Sequence, residues 1–430
     1  MSEISDEVSI RIEDKLLALP SSPSIFRVND GTRLRNEKFY DPKAVSIGPL
    51  HHGKPHLRHM EQHKVRFIKL LLQRQNESSA DKYVMAIRSL EKKARDCYVG
   101  SFEFSTDEFV EMLLLDGCFI VEFMSKYVLH HLRESDDHII FEDKQVLSQL
   151  LHDLMLVENQ IPFFVVHQLF SMMGRGDYEH ISELLWIFSA RIYPWGLPCI
   201  REYISLEDVD HLHGLVYKMC CSSLATIVKN RPIKVLKEKQ KMVAISSTTK
   251  LQKAEIKFKT DLGLSDCLNI KFIEGMMKIP FFHVSDKTES ILRNIIAYEC
   301  FFIDNQPKYV TDYVFFLHSL IKSAKDVEVL RDHGILTNLL GNDEMVYDII
   351  NRLGRNILMS SDFCYADVYE KVNKYYGRRW SRRMANLRCC CFSGRWAEAF
   401  FPALFLLMLT LFTLSIVLQA VLTVLSYVRK

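Results

Sequence analysis

The C-terminal end of the sequence contains a long apolar run without acidic or basic side chains. No Asp, Glu, Lys or Arg occurs between Glu398 and Arg429, so this run spans 30 residues, 399–428. A helix rises about 1.5 Å per residue and a bilayer core is about 30 Å thick, so roughly 20 apolar residues cross it. Apolar side chains lie on every side of this run, whereas a surface helix of a soluble domain keeps one polar face. The sequence therefore predicts a transmembrane helix over residues 399–428.

The basic residues that flank this run predict its orientation. Six arginines precede it and only two basic residues follow it: Arg378, Arg379, Arg382, Arg383, Arg388 and Arg395 before, Arg429 and Lys430 after. Because Lys and Arg stay on the cytosolic side, we expect a single-pass, tail-anchored protein whose large domain lies in the cytosol, at the plasma membrane or an endomembrane. The opposite topology stays open as an alternative, and a receptor-like protein facing the apoplast requires it.

Cysteine usage is typical of a reduced compartment. The chain has 11 cysteines, an odd number, and no C-x-x-C pair, so zinc-ribbon and thioredoxin sites lack their spacing. Cys389, Cys390 and Cys391 form a triplet between Arg388 and the apolar run. Cysteines beside a membrane helix are acceptors for fatty acids. The triplet is therefore a candidate S-acylation site.

Charge and motifs exclude several classes of function. Lys plus Arg number 55 and Asp plus Glu 53, a formal charge of +2, so no overall basic field is available to bind nucleic acid. The sequence contains no phosphate-binding loop, no dinucleotide-binding fingerprint and no nucleophile elbow. We expect a membrane and a protein as partners, with no nucleic acid and no cofactor.

Apolar spacing of three and four residues recurs through most of the chain and predicts helices. Residues 105–108, Ser-Thr-Asp-Glu, match a capping box, in which hydroxyl and carboxylate bind free amides at a helix start. Residues 109–124 are apolar on nearly all sides but include Glu111, Asp116 and Glu122. Three acids disfavour a membrane span and predict a buried central helix.

A short segment has the alternation of strands. Apolar residues alternate with polar ones around Glu274 and Gly275: Leu268, Ile270 and Phe272 before the pair, and Met277, Ile279 and Phe281 after it. This pattern predicts a small hairpin. We therefore expect a mainly α fold, a single large helical domain with a minor β-hairpin or sheet and a C-terminal transmembrane helix.

Composition divides the chain into four parts. We predict a variable N-terminal segment over 1–23, a helical domain over 24–377, an Arg- and Cys-rich collar over 378–398, and the transmembrane helix over 399–428. Within the helical domain, Lys, Ser and Thr dominate near residues 229–253, and apolar periodicity fades there. That stretch is predicted to be a flexible surface loop.

Histidines are concentrated between His51 and His63. His59 and His63 are four apart on a predicted helix and His56 lies near the same face, so three ligands could converge on zinc. The Glu of His59-Met60-Glu61-Gln62-His63 stands one place later than in a zincin motif. The alternative is a polar helix whose histidines bind loop carbonyls, and this structural interpretation is favoured.

Two acidic motifs within apolar runs are the other candidates for chemistry. Asp116-Gly117 and Glu158-Asn159-Gln160, which is followed by Pro162, carry acids that need partners when buried. Paired carboxylates could form an acid/base site. They could equally cap helix ends and satisfy the backbone opened around Gly117 and Pro162, which is the favoured interpretation. A metal-dependent or acid/base enzyme that combines the His51–His63 cluster with Glu158 or Asp116 is the second hypothesis.

Several motifs, in order along the chain, resemble a plant family known as domain of unknown function 247. They are Val45 to Gly53 (VSIGPLHHG), Met60 to Lys64 (MEQHK), Asp107 to Phe119 (DEFVEMLLLDGCF), Leu156 to Phe164 (LVENQIPFF), Gly275 to Pro280, Thr288 to Ser290 (TES) and Ala324 to Val327 (AKDV). The similarity extends from about Ile25 to the C-terminus, including the membrane tail.

The resemblance implies a membrane-anchored plant protein. Some grass members of that family are implicated as pollen-side determinants of self-incompatibility, which implies recognition rather than catalysis. The family supplies no catalytic residues to transfer to this chain. We therefore favour a non-enzymatic protein that recognises another protein or carries a signal at a membrane.

Overall fold

The structure is a computed structural model that describes residues 23–34, 36–173, 181–190, 195, 209–230, 244–261, 267–302, 307–355, 357, 359–360, 362–392 and 395–428. Within these residues the chain forms sixteen α-helices and five short strands. The predicted mainly helical class with a minor sheet is therefore confirmed. The predicted N-terminal segment, except residue 23, lies outside the described residues.

The first half of the chain is helical. Its α-helices are α1 (Asp30–Arg33), α2 (Arg58–Arg74), α3 (Asp81–Arg95), α4 (Thr106–Val128), α5 (His138–Phe141), α6 (Lys144–Asp153), α7 (Phe163–Met172), α8 (Ile181–Ala190) and α9 (Leu212–Lys229). The second half adds strands to helices. Its elements are α10 (Thr248–Lys253), β1 (Lys257–Asp261), β2 (Lys271–Ile273), β3 (Met276–Pro280), β4 (Phe282–Val284), α11 (Thr288–Phe302), α12 (Tyr309–Leu320), α13 (Ala324–Asp332), β5 (Leu336–Asn338), α14 (Asp343–Gly354), α15 (Ala366–Phe392) and α16 (Arg395–Val428).

Helix α4 is the centre of the first half. It begins at the predicted capping box, where the Ser105 hydroxyl accepts the Glu108 amide at 3.2 Å and the Glu108 carboxylate accepts the Ser105 amide at 2.9 Å. Helices α2, α3, α7 and α8 pack around it. The ring of Phe119 stacks on Phe67 of α2 at 5.5 Å and on Phe123 at 5.7 Å. The predicted buried central helix is confirmed.

Gly117 has a different role from the one predicted. It lies inside the continuous helix α4, so the backbone is not opened there. A Cβ atom at this position would lie 2.4 Å from Cδ1 of Leu169 on α7. Gly117 therefore permits close packing of α4 against α7, and the predicted capping role around this residue is wrong.

The predicted hairpin is confirmed and belongs to a three-stranded sheet. Strands β2 and β3 are antiparallel, and their turn contains Glu274 and Gly275 at positive φ, 49° and 83°. Strand β1 pairs in parallel with β3, which gives the order β1-β3-β2. A second sheet, which the sequence pattern did not indicate, pairs β4 with β5 in parallel.

Part of the stretch predicted to be a polar loop, residues 229–253, is helical. Residues 231–243 lie outside the described residues, but Thr248–Lys253 forms helix α10. Thr248 and Leu251 are buried, and α10 packs against α13. Tertiary contacts therefore stabilise a helix in a stretch whose own composition is polar.

One helix among the described residues is long and apolar enough to cross a membrane. It is the part of α16 from Pro402 to Leu422, 21 residues with a mean hydropathy of 2.4 and no residue buried by the rest of the chain. The helix begins at Arg395, four positions before the predicted start of the span. Cys389, Cys390 and Cys391 belong to α15, but the structure does not describe their side chains. S-acylation of this triplet stays a prediction.

Candidate functional site

An irregular segment, residues 41–48, enters the interior of the helical domain: residues 45–48 are buried, whereas Lys43 is exposed. Val45 and Ile47 are buried, and residues 41–48 belong to no helix or strand. Buried backbone amides without ladder partners need other acceptors, because an unpaired buried amide costs about 1–3 kcal/mol. Side chains from α4, α6 and the segment after α6 supply these acceptors.

Asp153, the last residue of α6, binds three consecutive amides of the irregular segment. Its Oδ2 atom accepts the N–H groups of Lys43 at 2.9 Å, Ala44 at 2.6 Å and Val45 at 3.1 Å. Charge-assisted bonds of this kind are stronger than neutral ones. One buried carboxylate therefore fixes the start of the segment against the end of α6.

Asn159 binds the middle of the segment. Its Oδ1 atom accepts the Ile47 amide at 2.7 Å, and its Nδ2 atom donates to the Val45 carbonyl at 3.1 Å and the Asp153 carbonyl at 3.0 Å. The side-chain amide is thus used as a paired donor and acceptor, as in a strand ladder. The predicted structural role of Asn159 agrees with these contacts, although the partner backbone is more than one hundred residues away.

Asp116 binds the end of the segment and a buried lysine. Its Oδ2 atom accepts the Gly48 amide at 2.7 Å, and its Oδ1 atom accepts from Lys64 Nζ at 2.6 Å. Lys64 also donates to the Ser46 carbonyl and to Glu61, each at 2.7 Å. Burial raises the pKa of Asp116, while Lys64 and the Gly48 amide oppose that rise. The pair links α4, α2 and the segment.

Glu158 binds groups that come from the N-terminal part of the chain. Its Oε1 atom accepts the Val28 amide at 2.8 Å, and its Oε2 atom lies 3.1 Å from Nη1 of Arg33 and 3.3 Å from Nε2 of His51. Glu158, Arg33 and His51 are all buried. The carboxylate therefore holds a buried cation and a buried amide, rather than facing open solvent.

Gln160 and Pro162 complete this motif. Nε2 of Gln160 donates to the Leu154 carbonyl at 2.8 Å and the Leu156 carbonyl at 2.9 Å, while Oε1 accepts the His213 amide at 3.1 Å. Pro162 stands immediately before α7, as its N-cap, close to the predicted first turn. Both residues thus shape the backbone between α6 and α7.

The predicted histidine cluster is divided by the structure. The rings of His59 and His63 lie 5.3 Å apart on α2, but His56 precedes that helix and its Nε2 atom lies 3.1 Å from the Pro42 carbonyl. In the described part of the chain, no third His, Cys, Asp or Glu forms a group with His59 and His63 in which the ligand atoms all lie within 4.8 Å of one another. The contact of His56 agrees with the alternative in which these histidines bind loop carbonyls. A zinc site formed by His56, His59 and His63 stays a prediction.

A different group of metal-ligating side chains does converge. Asp41, His51 and Glu158 offer ligand atoms within 4.8 Å of one another, and neither ring nitrogen of His51 makes a hydrogen bond with the described residues. Arg33 pairs with both carboxylates, and Lys54 lies 3.2 Å from Asp41. Two cations therefore balance the two carboxylates.

The same contacts determine the protonation of this group. Burial would raise the pKa of Asp41, but hydrogen bonds from Arg33 and Lys54 hold it below its usual value. Burial lowers the pKa of His51, although Glu158 beside it favours the protonated ring. His51 is therefore neutral and the carboxylate of Asp41 is charged near pH 7.

Three further side chains have the hydrogen-bond order of a Ser-His-Asp triad. His152 Nε2 lies 2.8 Å from Ser290 Oγ, and its Nδ1 lies 3.3 Å from Asp153 Oδ1. All three residues are buried, Ser290 Oγ also lies 2.9 Å from the Phe39 carbonyl, and Asp153 holds the three amides described above. The contacts join α6 to α11 through buried side chains.

The sequence reasoning missed several buried ionic residues. Asp153 and Lys64 lie on helices among apolar neighbours, as Asp116 does. A charged side chain buried there needs a partner, so both could have been singled out in the same way. Glu299 is a third buried ionic residue of this kind. Its carboxylate accepts the Val310 and Thr311 amides, each at 2.8 Å. Burial raises the pKa of Glu299 to about 7, so its contribution to stability falls as the pH rises toward that value.

Comparison with known proteins identifies the family. A family model described as a plant protein of unknown function, DUF247, matches residues 25–410. The chain belongs to this plant family. The buried motifs around Gly48, Asp116 and Glu158 lie within the matched range, as does the first part of the apolar helix α16, residues 395–410.

Two similar proteins come from Arabidopsis thaliana. The UPF0481 protein At3g47200 is 27% identical over 94% of this chain and 87% of its own length. The putative UPF0481 protein At3g02645 is 25% identical over 90% of this chain and 88% of its own length. No solved structure matches the chain significantly.

Replacing Glu158 with Ala should strongly destabilise the domain. The change leaves Arg33 buried without one of its carboxylates and the Val28 amide without its acceptor, and breaking a buried ion pair costs about 3–5 kcal/mol. The measurement is urea-induced unfolding of the detergent-solubilised full chain, followed by tryptophan fluorescence. Glu142→Ala, at an exposed position, is the matched control and should change stability by less than about 0.5 kcal/mol.

A double variant tests whether the lost pair is the cause. Arg33→Met combined with Glu158→Ala removes both charges, so it should cost less than the sum of the two single changes. If Glu158→Ala unfolds at the same urea concentration as Glu142→Ala, Glu158 does not hold this part of the structure.

Proposed function

We propose that this protein is a tail-anchored membrane protein whose helical domain recognises another protein and catalyses no reaction. The observation that carries the proposal is the span Pro402–Leu422, which is apolar on all sides and has no residue buried by the rest of the chain. Leaving a large apolar side chain in water costs about 1.5–3 kcal/mol relative to burial. A bilayer provides that burial for the whole span at once.

The orientation of the anchor follows from the flanking charges. Six arginines precede the span and two basic residues follow it, so the helical domain faces the cytosol. The same arginines can bind anionic lipid, since each basic residue near such a surface contributes about 1 kcal/mol.

The buried polar groups favour recognition over catalysis. The candidate acids and amides Asp116, Glu158, Asn159 and Gln160 bind backbone groups or buried cations at 2.6–3.1 Å. A catalytic acid or base needs an approach for substrate and a proton to transfer. The surface of the domain is therefore the part that meets a partner, as the resemblance to recognition proteins implies.

Two charges placed in the middle of the span should release the protein from membranes. Leu411→Arg with Leu414→Arg raises the insertion free energy by roughly 6–8 kcal/mol on a translocon scale. The measurement is flotation of microsomes after alkaline carbonate treatment, because floating separates membranes from aggregates. The wild-type chain should float and the double variant should stay in the soluble fraction.

The control and the orientation use the same membranes. Leu339→Arg with Met345→Arg places the same charges on exposed apolar positions of the domain, and this variant should still float. Added protease should digest a tag at the N-terminus in intact microsomes, and Asn76 of the Asn76-Glu77-Ser78 sequon should stay unglycosylated. Extraction of the wild-type chain by carbonate would contradict the anchor, whereas a protected tag with glycosylated Asn76 would reverse its orientation.

The second candidate function is binding of a metal ion by Asp41, His51 and Glu158. The unbonded ring nitrogens of His51 between two carboxylates are the observation behind it. A dication would have to displace Arg33 and Lys54 or add charge to an already balanced group, which costs free energy in a buried site.

Metal analysis of the full chain decides between the two candidates. We expect zinc far below one ion per chain after purification in detergent with zinc in the buffer. About one zinc ion per chain that is lost in His51→Gln and kept in His56→Gln would establish the metal site. Loss in His59→Ala with His63→Ala instead would assign the metal to the pair on α2.

A further inference from the structure

The three-stranded sheet has one buried face and one face that is rich in lysine. Phe258, Phe272, Met277 and Ile279 point to the core. The opposite face carries four lysines and one aspartate, and we call it the lysine face: Lys257, Lys259, Lys271, Lys278 and Asp261. Four positive charges against one negative charge leave this small surface with a net charge of +3.

The strand register places three of these lysines in one row. Lys259 of β1 lies opposite Lys278 of β3, which lies opposite Lys271 of β2. Neighbouring strands are about 4.8 Å apart, and like charges directly opposite one another destabilise a sheet. Lys271 is compensated by Asp261 at 3.1 Å. The remaining positive charge favours binding of an anion.

Protection of sheet edges explains only part of this pattern. Lysines on edge strands discourage pairing with other chains, and β1 and β2 are the edges of this sheet. Lys278 lies on the central strand β3, where there is no edge to protect. Protection of the edges therefore does not explain Lys278, and the row of three lysines indicates a function of the exposed face of the sheet.

The sheet is fixed to the helix that leads toward the membrane span. The rings of Phe272 and Tyr375 on α15 make an edge contact at 5.7 Å, and Arg379 of α15 pairs with Glu255 just before β1. A Cβ atom on Gly275 would lie 2.5 Å from the Tyr375 hydroxyl, so the turn and the helix are in close contact. The 27 positions from Tyr375 to Pro402 would span about 40 Å if all of them were helical.

We propose that the lysine face binds the anionic phospholipid headgroups of the membrane in which the C-terminal helix is anchored. This inference rests on the proposed membrane anchor, which keeps a bilayer within reach of the sheet. Ile273 is 51% exposed beside Met276 in the row next to the lysines, and an apolar side chain there can enter the interface between headgroups and acyl chains. Contact with the membrane would orient the helical domain relative to its anchor.

Lysine acetylation of the full chain in lipid nanodiscs tests this contact. Two kinds of disc are compared, phosphatidylcholine alone and phosphatidylcholine with about 30% phosphatidylserine, the anionic lipid of cytosolic leaflets. Acetylation of Lys259 and Lys278, read by mass spectrometry, should fall about fivefold in the anionic discs, the factor that corresponds to about 1 kcal/mol. High salt should abolish the difference. Lys69 on α2 and Lys92 on α3, both exposed, should react equally in both discs.

A charge-reversal variant provides the matched comparison. In Lys259→Glu with Lys278→Glu, acetylation of Lys257 should be equal in the two kinds of disc, whereas Lys69→Glu with Lys92→Glu should keep the lipid-dependent protection of the lysine face. Equal acetylation of Lys259 and Lys278 in both discs, in a chain that has inserted, would overturn the lipid contact and leave the anchor intact.

Two other outcomes would also refute the proposal. Protection of the lysine face by soluble polyglutamate, without any protection by phosphatidylserine, would assign this face to an acidic protein segment instead of lipid. A chain that fails to enter the discs would refute the anchor, and the lipid contact with it. Insertion is measured first, so failure of the anchor is distinguished from failure of the lysine face.

Discussion

The burial of an irregular backbone segment is the constraint on which the rest of the domain depends. Residues 45–48 lie in a helical interior, residues 43 and 44 lead into it, and none of these residues belongs to a ladder that would satisfy its amide. Asp153, Asn159 and Asp116 accept five of these amides, those of residues 43, 44, 45, 47 and 48. Because these acceptors come from α6, the segment after it and α4, one set of hydrogen bonds fixes three parts of the chain relative to one another.

The same constraint limits what the buried charges can do chemically. Lys64 compensates Asp116, and Arg33 compensates Glu158 and Asp41. A buried carboxylate that loses such a partner costs several kcal/mol, so these groups are not available for proton transfer without disturbing the fold. The acidic motifs that the sequence offered for chemistry therefore have structural partners among the described residues.

Local pattern predicted the elements of the fold better than their partners. The capping box at Ser105 and the apolar stripe after it determine α4 because both act within a few residues. The hairpin around Gly275 was predictable for the same reason. The need of Asp116 for a partner followed from its apolar surroundings, but Lys64 and Gly48 are 52 and 68 positions away, and no periodicity connects them.

Tertiary contacts also override composition where the prediction was wrong. Helix α10 lies in a Lys- and Thr-rich stretch, but Asp326 of α13 accepts the Thr249 amide at 2.8 Å and so caps its first turn. The parallel pair β4 and β5 is invisible in the sequence, because each strand has three residues and α11, α12 and α13 separate them. The second hypothesis combined the His51–His63 cluster with Glu158, and His51 does lie beside Glu158, but no spacing in the sequence indicated Asp41 as the third member of that group.

Hydrogen–deuterium exchange of the full chain in detergent measures directly whether the amides of the irregular segment are buried and hydrogen-bonded. The amides of residues 43, 44, 45, 47 and 48 belong to no regular element, yet they should exchange as slowly as those of α4, since exchange in both places requires opening of the core. The neighbouring turn at residues 52–53 is exposed and should exchange fast. Exchange of the five amides at the rate of that turn would show that Asp153, Asn159 and Asp116 do not hold the segment.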